Sequence, residues 1–129
     1  MKKILIVTAN YYPEICKELK QSALKNLKNF TLKSIFAPGV FEIPVIISKN
    51  ISKFDAFIAL GCVIKGETPH FDLISNSVTD GLMKISIETK KPIGNGILIC
   101  FNKRQALARV NKGEEAANAV VQVLKNVPK

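Results

Sequence analysis

A chain of 129 residues suits one domain with a full core, spanning residues 1–129, and leaves no room for a second. It is 47% hydrophobic and only 22% charged, which is apolar for so small a domain and implies that other subunits cover part of its surface. A net charge of +9 favours anionic partners, yet no dense basic run, arginine-rich arm or aromatic–basic interleaving is present, so nucleic-acid binding is not expected.

The elements alternate between strand and helix. Residues 4–8 are a continuous apolar, β-rich run, as expected of a strand buried on both faces. Met1-Lys2-Lys3 before it superficially resembles the start of a signal peptide. The run is too short for one, however, and Asn10-Tyr11-Tyr12-Pro13 follows without a cleavage site. Residues 13–27 are helical, with Ile15, Leu19, Ala23, Leu24 and Leu27 on one stripe and Lys17, Lys20 and Lys25 as part of a solvated face. Residues 31–37 alternate and read as a second strand, which Pro38-Gly39 ends. Residues 41–51 form a shorter apolar helix, interrupted near its start by Pro44.

A third strand is expected over 54–64, a long helix over 69–88, and a fourth strand from about 96 to 101 after Pro92. Residues 103–124 are helical overall, with Asn111-Lys112-Gly113 as the break. Such alternation gives an α/β fold: a three-layer sandwich with a four-stranded parallel sheet and helices on both faces. Ligands of such sheets sit at the carboxyl ends of the strands, where the turns after the first three strands converge. No apolar stretch approaches the ~20 residues of a membrane span. Cys16, Cys62 and Cys100 are odd in number and form no C-x-x-C pair, which points to reduced thiols in the cytoplasm and away from disulfides or a zinc site.

The segment Gly61 to Asp72 carries the chemistry. It reads as a strand end, a glycine-bearing loop and a helix start, with Thr68 as N-cap and Pro69 at the first helical position. Backbone N–H groups there make an anion site. His70, the only histidine, stands in that turn. A phosphate-sized socket beside a proton-transfer group points to catalysis on a small phosphorylated molecule. Caps and glycine turns of this kind also occur in α/β domains without catalysis.

Three separated motifs make the reading specific. They are Pro38-Gly39-Val40-Phe41-Glu42-Ile43-Pro44; Gly61 with Val63-Ile64-Lys65-Gly66-Glu67-Thr68 and His70-Phe71-Asp72; and Asn111-Lys112-Gly113 with Ala116. Together, over residues 4–124, they resemble the 6,7-dimethyl-8-ribityllumazine synthases. The resemblance implies a flavodoxin-like strand order and the penultimate step of riboflavin synthesis. That step condenses 5-amino-6-(D-ribitylamino)uracil with 3,4-dihydroxy-2-butanone 4-phosphate, without metal or organic cofactor. It also implies small-molecule substrates, no membrane partner and a cytoplasmic homopentamer or a pair of pentamers.

Position by position, the resemblance makes Tyr11 the aromatic residue that stacks on the pyrimidine. Val40, Phe41 and Glu42 line the pyrimidine and ribityl site, and Cys62, Val63 and Ile64 contact the ring through their backbone. The Cys62 thiol is expected to be a spectator, because no neighbouring base or cation in the sequence activates it. Glu67 and Thr68 bind phosphate through their N–H groups, Arg109 pairs with the phosphate, and His70 is the acid/base.

Several positions depart from the family's pattern. Lys65 stands where arginine is common, which keeps the charge and loses the fork. Asn95 replaces an apolar wall residue, often Phe. The interval between Arg109 and Asn111-Lys112-Gly113 is short, and no N-terminal extension precedes the first strand, which favours free pentamers over a sixty-subunit cage. With the fourth strand starting at residue 96, Asn95 lies roughly 17 Å from the carboxyl edge and must come from a neighbour in a head-to-tail ring. The alternatives are the related archaeal-type riboflavin synthase, a flavin- or lumazine-binding protein without turnover, and a basic nucleic-acid-binding module.

Overall fold

The computed structural model describes residues 1–66 and 69–128. Strands β1 (Lys3–Ala9), β2 (Thr31–Ala37), β3 (Ala56–Ile64) and β4 (Ile93–Cys100) form one parallel sheet in the order β2-β1-β3-β4. The helices are α1 (Pro13–Leu24), α2 (Ile43–Lys49), α3 (His70–Thr89), α4 (Lys103–Leu107) and α5 (Lys112–Lys125). Along the central strands, side chains alternate between two cores. Leu5, Val7, Phe57 and Ala59 pack with Ile43 and Ile47 of α2 and Val78 and Leu82 of α3. Ile4, Ile6, Ile58 and Leu60 pack with Ala23 of α1 and Ala117 and Val120 of α5. Both faces of β1 and β3 are covered, so their sequences are apolar without a polar alternate. The expected three-layer α/β sandwich is what the chain forms.

Several boundaries differ from expectation for physical reasons. The second helix starts at Ile43 after a single 3₁₀ turn over Val40–Glu42, so Pro44 begins a helix that it was expected to interrupt. Proline is tolerated there because its missing N–H has no intrahelical partner to lose. Strand β4 starts at Ile93, ahead of the expected residue 96. Gly94 and Gly96 read as weak strand formers, but Gly94 lets α5 lie close on the sheet and Gly96 leaves room for the Leu60 side chain of β3. A Cβ at Gly94 would stand 2.5 Å from the Ala116 carbonyl oxygen.

The last helical stretch breaks over residues 108–111, ahead of the expected Asn111-Lys112-Gly113, and Lys112 and Gly113 fall in the first turn of α5. That turn is capped from outside: Ser22 Oγ of α1 accepts the Glu114 N–H at 2.9 Å. The start of α4 has a reciprocal cap, with the Gln105 N–H donating to Asn102 Oδ1 at 2.8 Å and the Phe101 N–H to Gln105 Oε1 at 2.7 Å. Helix α3 begins at His70, with Pro69 as its flanking residue. The expected N-cap, Thr68, lies outside the described residues.

Candidate active site

Beyond the carboxyl ends of β1, β2 and β3 the chain leaves a cleft of about 720 Å³, a size that suits a small-molecule ligand. Each wall follows from a local feature of the sequence. Asn10-Tyr11-Tyr12 turns the chain from β1 into α1 and brings Tyr11 and Tyr12 to the rim. The 3₁₀ turn after β2 supplies Val40, Phe41 and Glu42, while the end of β3 supplies Cys62, Val63 and Ile64. His70, the first residue of α3, lines the cleft together with Phe71 and Ile74. Gly61 permits this closeness, because a Cβ there would meet Val40 Cγ2 at 2.8 Å and Ala9 Cβ at 3.2 Å.

Tyr11 is 71% and Phe41 60% exposed, so both rings are available to a planar ligand. Glu42 is half-buried beside them. A carboxylate at that place can accept hydrogen bonds from ligand hydroxyls. The lining is otherwise apolar, and the polar groups are few and placed for orientation.

The three thiols are free and buried, and of them Cys62 lines the cleft. Burial, with the neighbouring Cys100 and Cys16, pushes the Cys62 thiol up to about 12. Burial likewise raises Cys16, whose Sγ donates to the Ala9 carbonyl at 2.8 Å. At pH 8 a thiol titrating near 12 is ionised in only about one copy in ten thousand. Iodoacetamide is therefore expected to leave Cys62 of the folded protein unmodified at pH 8, and to label all three cysteines once the chain is unfolded. Peptide mass mapping checks this, and rapid labelling of folded Cys62 contradicts the spectator assignment.

Of the residues singled out in the sequence, Tyr11, Val40, Phe41, Glu42, Cys62, Val63, Ile64 and His70 come together in this cleft. Glu67 and Thr68 lie outside the described residues. Arg109 and Asn95 do not line the cleft. Arg109 is exposed between α4 and α5, near enough to Cys100 at the end of β4 for its charge to oppose the burial that raises that thiol. Asn95 stands within β4, where it was expected to precede the strand, in register with Ala59. Its side-chain oxygen accepts the Ile97 N–H at 3.1 Å. From Ala59 to the cleft residues Cys62 to Ile64 is three to five strand positions, roughly 10–17 Å.

The structure adds lining residues that the sequence did not announce. Tyr12 was indistinct beside Tyr11, and its signal was a second aromatic directly before the helix-starting Pro13. Phe71 stands in the motif directly after His70, and Ile74 follows it at helical spacing. Ile74 packs on the core, and it also reaches the cleft.

A parallel sheet that gathers an exposed ring, a carboxylate and a histidine at its carboxyl edge defines an α/β enzyme acting on a small molecule. The family model for 6,7-dimethyl-8-ribityllumazine synthase matches residues 1–127. A protein of that name from Corynebacterium kroppenstedtii is 39% identical over 137 residues, covering 97% of this chain and 86% of its own. Those from Bdellovibrio bacteriovorus and Methylobacterium radiotolerans are each 40% identical over 131 residues, covering 95% of this chain and 73% and 80% of theirs. The chain belongs to the 6,7-dimethyl-8-ribityllumazine synthase family, and is accordingly a transferase of riboflavin biosynthesis. No helix among the described residues is long and apolar enough to cross a membrane.

Proposed function

We propose that this cleft condenses 5-amino-6-(D-ribitylamino)uracil with 3,4-dihydroxy-2-butanone 4-phosphate to give 6,7-dimethyl-8-ribityllumazine. The observation that carries the reading is the convergence of Tyr11, Phe41, Glu42 and His70 from three separate turns on one cleft. Tyr11 stacks on the pyrimidine, backbone groups of Cys62, Val63 and Ile64 read its edge, and Glu42 accepts hydrogen bonds from ribityl hydroxyls. The 5-amino group adds to the ketone and an imine forms with loss of water. Phosphate then leaves, and attack by the ribitylamino nitrogen closes the ring with loss of a second water. His70 moves protons at these steps, while the site supplies proximity and an anion socket. Mixing the two substrates with the protein is expected to raise the absorbance of the lumazine. Absence of that product rejects the reading.

Phosphate binding falls to the N–H groups of Glu67 and Thr68 and to the Arg109 guanidinium, whose fork suits the group. Losing a charge-assisted hydrogen bond of this kind is worth about 1.5–3 kcal/mol, or roughly ten- to a hundredfold. Arg109→Ala is therefore expected to raise the Michaelis constant for the butanone phosphate by that factor and to leave the pyrimidine's nearly unchanged. Glu67→Ala has a much smaller effect, since its backbone does the binding. A shift confined to the pyrimidine constant removes Arg109 from the phosphate site.

The enzyme works in the cytoplasm as a ring of five. Two observations support the ring. Arg109 and Asn95 both lie outside their own cleft, on the β4 side of the molecule, so a head-to-tail neighbour can bring them to the next copy's site. Val45, Leu73, Met83 and Ile87 are each more than half exposed on α2 and α3, an apolar surface that suits burial between subunits. Light scattering is expected to give a pentamer or a pair of pentamers, and an active monomer ends this part of the proposal.

A further inference from the structure

Tyr12 stands between the cleft and a charged pair. Its ring and that of Tyr11 form a T-shaped pair, with centroids 5.0 Å apart and planes 77° to one another. The Lys103 Nζ sits over the Tyr12 ring at 5.6 Å from its centroid. That ammonium is itself held by Glu14 Oε1 at 3.4 Å. The Tyr12 backbone is fixed as well, because its carbonyl accepts the N–H groups of Ile15 at 3.1 Å and Cys16 at 3.0 Å. The half-buried Tyr12 ring rests on the cluster that holds Ile15, Leu19 and Leu98. Tyr11 has no such footing: it is 71% exposed.

We infer that Tyr12 is a positioning residue, clamped by the Lys103–Glu14 pair, which braces the exposed Tyr11 ring for stacking on the pyrimidine. The inference rests on the proposed function. An unbraced tyrosine samples several rotamers and is ordered only when ligand arrives, which costs affinity. An edge-to-face partner narrows that choice beforehand. The Lys103 ammonium over the Tyr12 ring adds a cation–π contact that holds this ring in place beside Tyr11. Burial raises the Tyr12 hydroxyl above its ordinary range, so the ring stays neutral at working pH. Pyrimidine affinity is thus set partly by Lys103 and Glu14, neither of which lines the cleft.

The test compares Tyr12→Leu, Tyr12→Phe, Lys103→Met and, as control, Lys20→Met. Lys20 carries the same kind of contact, over Phe36 at 5.4 Å, but away from the cleft. Freeing Tyr11 is worth the ordering of one side chain, so Tyr12→Leu should raise the pyrimidine Michaelis constant about five- to tenfold, with kcat within about twofold. Tyr12→Phe, which keeps the ring, should stay within about twofold of the parent, and Lys103→Met should show a rise of about two- to threefold. The constant for the butanone phosphate should not move, and Lys20→Met should match the parent in both.

An unchanged pyrimidine constant in Tyr12→Leu, or an equal rise for both substrates, overturns the brace. So does a Lys20→Met effect as large as that of Lys103→Met. If Tyr12→Leu does not fold, Lys103→Met, which alters an exposed side chain, decides alone. If the parent protein forms no lumazine, the proposed function falls. The brace is then judged on binding of the pyrimidine, titrated by tyrosine fluorescence in the same variants.

Discussion

Replacing His70 by alanine is expected to slow lumazine formation by about one to two orders of magnitude. Proton transfer by a positioned side chain contributes roughly 10²–10⁴-fold, and water and the substrate's own amines recover part of it. His70 is the only histidine of the chain, opens helix α3 and lines the cleft together with Tyr11. The loss should fall mainly on kcat, since the residue acts on protons in motion more than on bound substrate. Steady-state absorbance at saturating concentrations of both substrates measures it. A variant as fast as the parent means that another group, or solvent, carries the protons.

A second substitution tests the scaffold, and there two effects of opposite sign compete. Gly113 lies in the first turn of α5, where alanine would ordinarily gain up to about 1 kcal/mol in helix propensity. A Cβ at that position, however, would stand 2.2 Å from the Leu19 carbonyl oxygen and 3.1 Å from the Ala23 nitrogen. Both neighbours are backbone atoms of residues buried in α1, so the collision can be relieved only by moving one helix away from the other. Overpacking of this kind costs about 1–3 kcal/mol, and displacing a whole helix places Gly113→Ala at or above the top of that range. The melting temperature should fall by roughly 5–15 °C, compared at one protein concentration. A rise in melting temperature means that the two helices do not approach this closely.

The same glycine shows where the sequence stops being legible. Asn111-Lys112-Gly113 looks like a break because glycine weakens an isolated helix, yet here its missing side chain is what lets α5 dock on α1. Propensity is a local quantity, and the reason for this glycine lies ninety residues away in the chain. Strand β4 hides its start in the same way: Gly94 answers to α5 and not to the strand's own preference. What could be read directly was whatever depends on neighbours in sequence. The apolar runs gave β1 and β3, and the strand end, glycine loop and helix start of Gly61 to Asp72 gave His70, whereas the roles of Tyr11 and Phe41 came from the family resemblance. Tyr12 escaped notice because its importance lies in Tyr11 and Lys103, contacts that only the folded chain assembles.

The small hydrogen bond from the Ile97 N–H to the Asn95 side chain has a consequence for how this molecule meets others of its kind. Strand β4 is an outer strand, and unpaired amides on such a strand invite a foreign segment to extend the sheet. With the Ile97 amide already occupied at 3.1 Å, one rung of that ladder is missing. A stray β-segment from a misfolded copy loses a backbone bond at the middle of its would-be partner. Orderly association on this flank is left to side chains, which can be matched or mismatched residue by residue, whereas a bare peptide edge accepts almost any sequence.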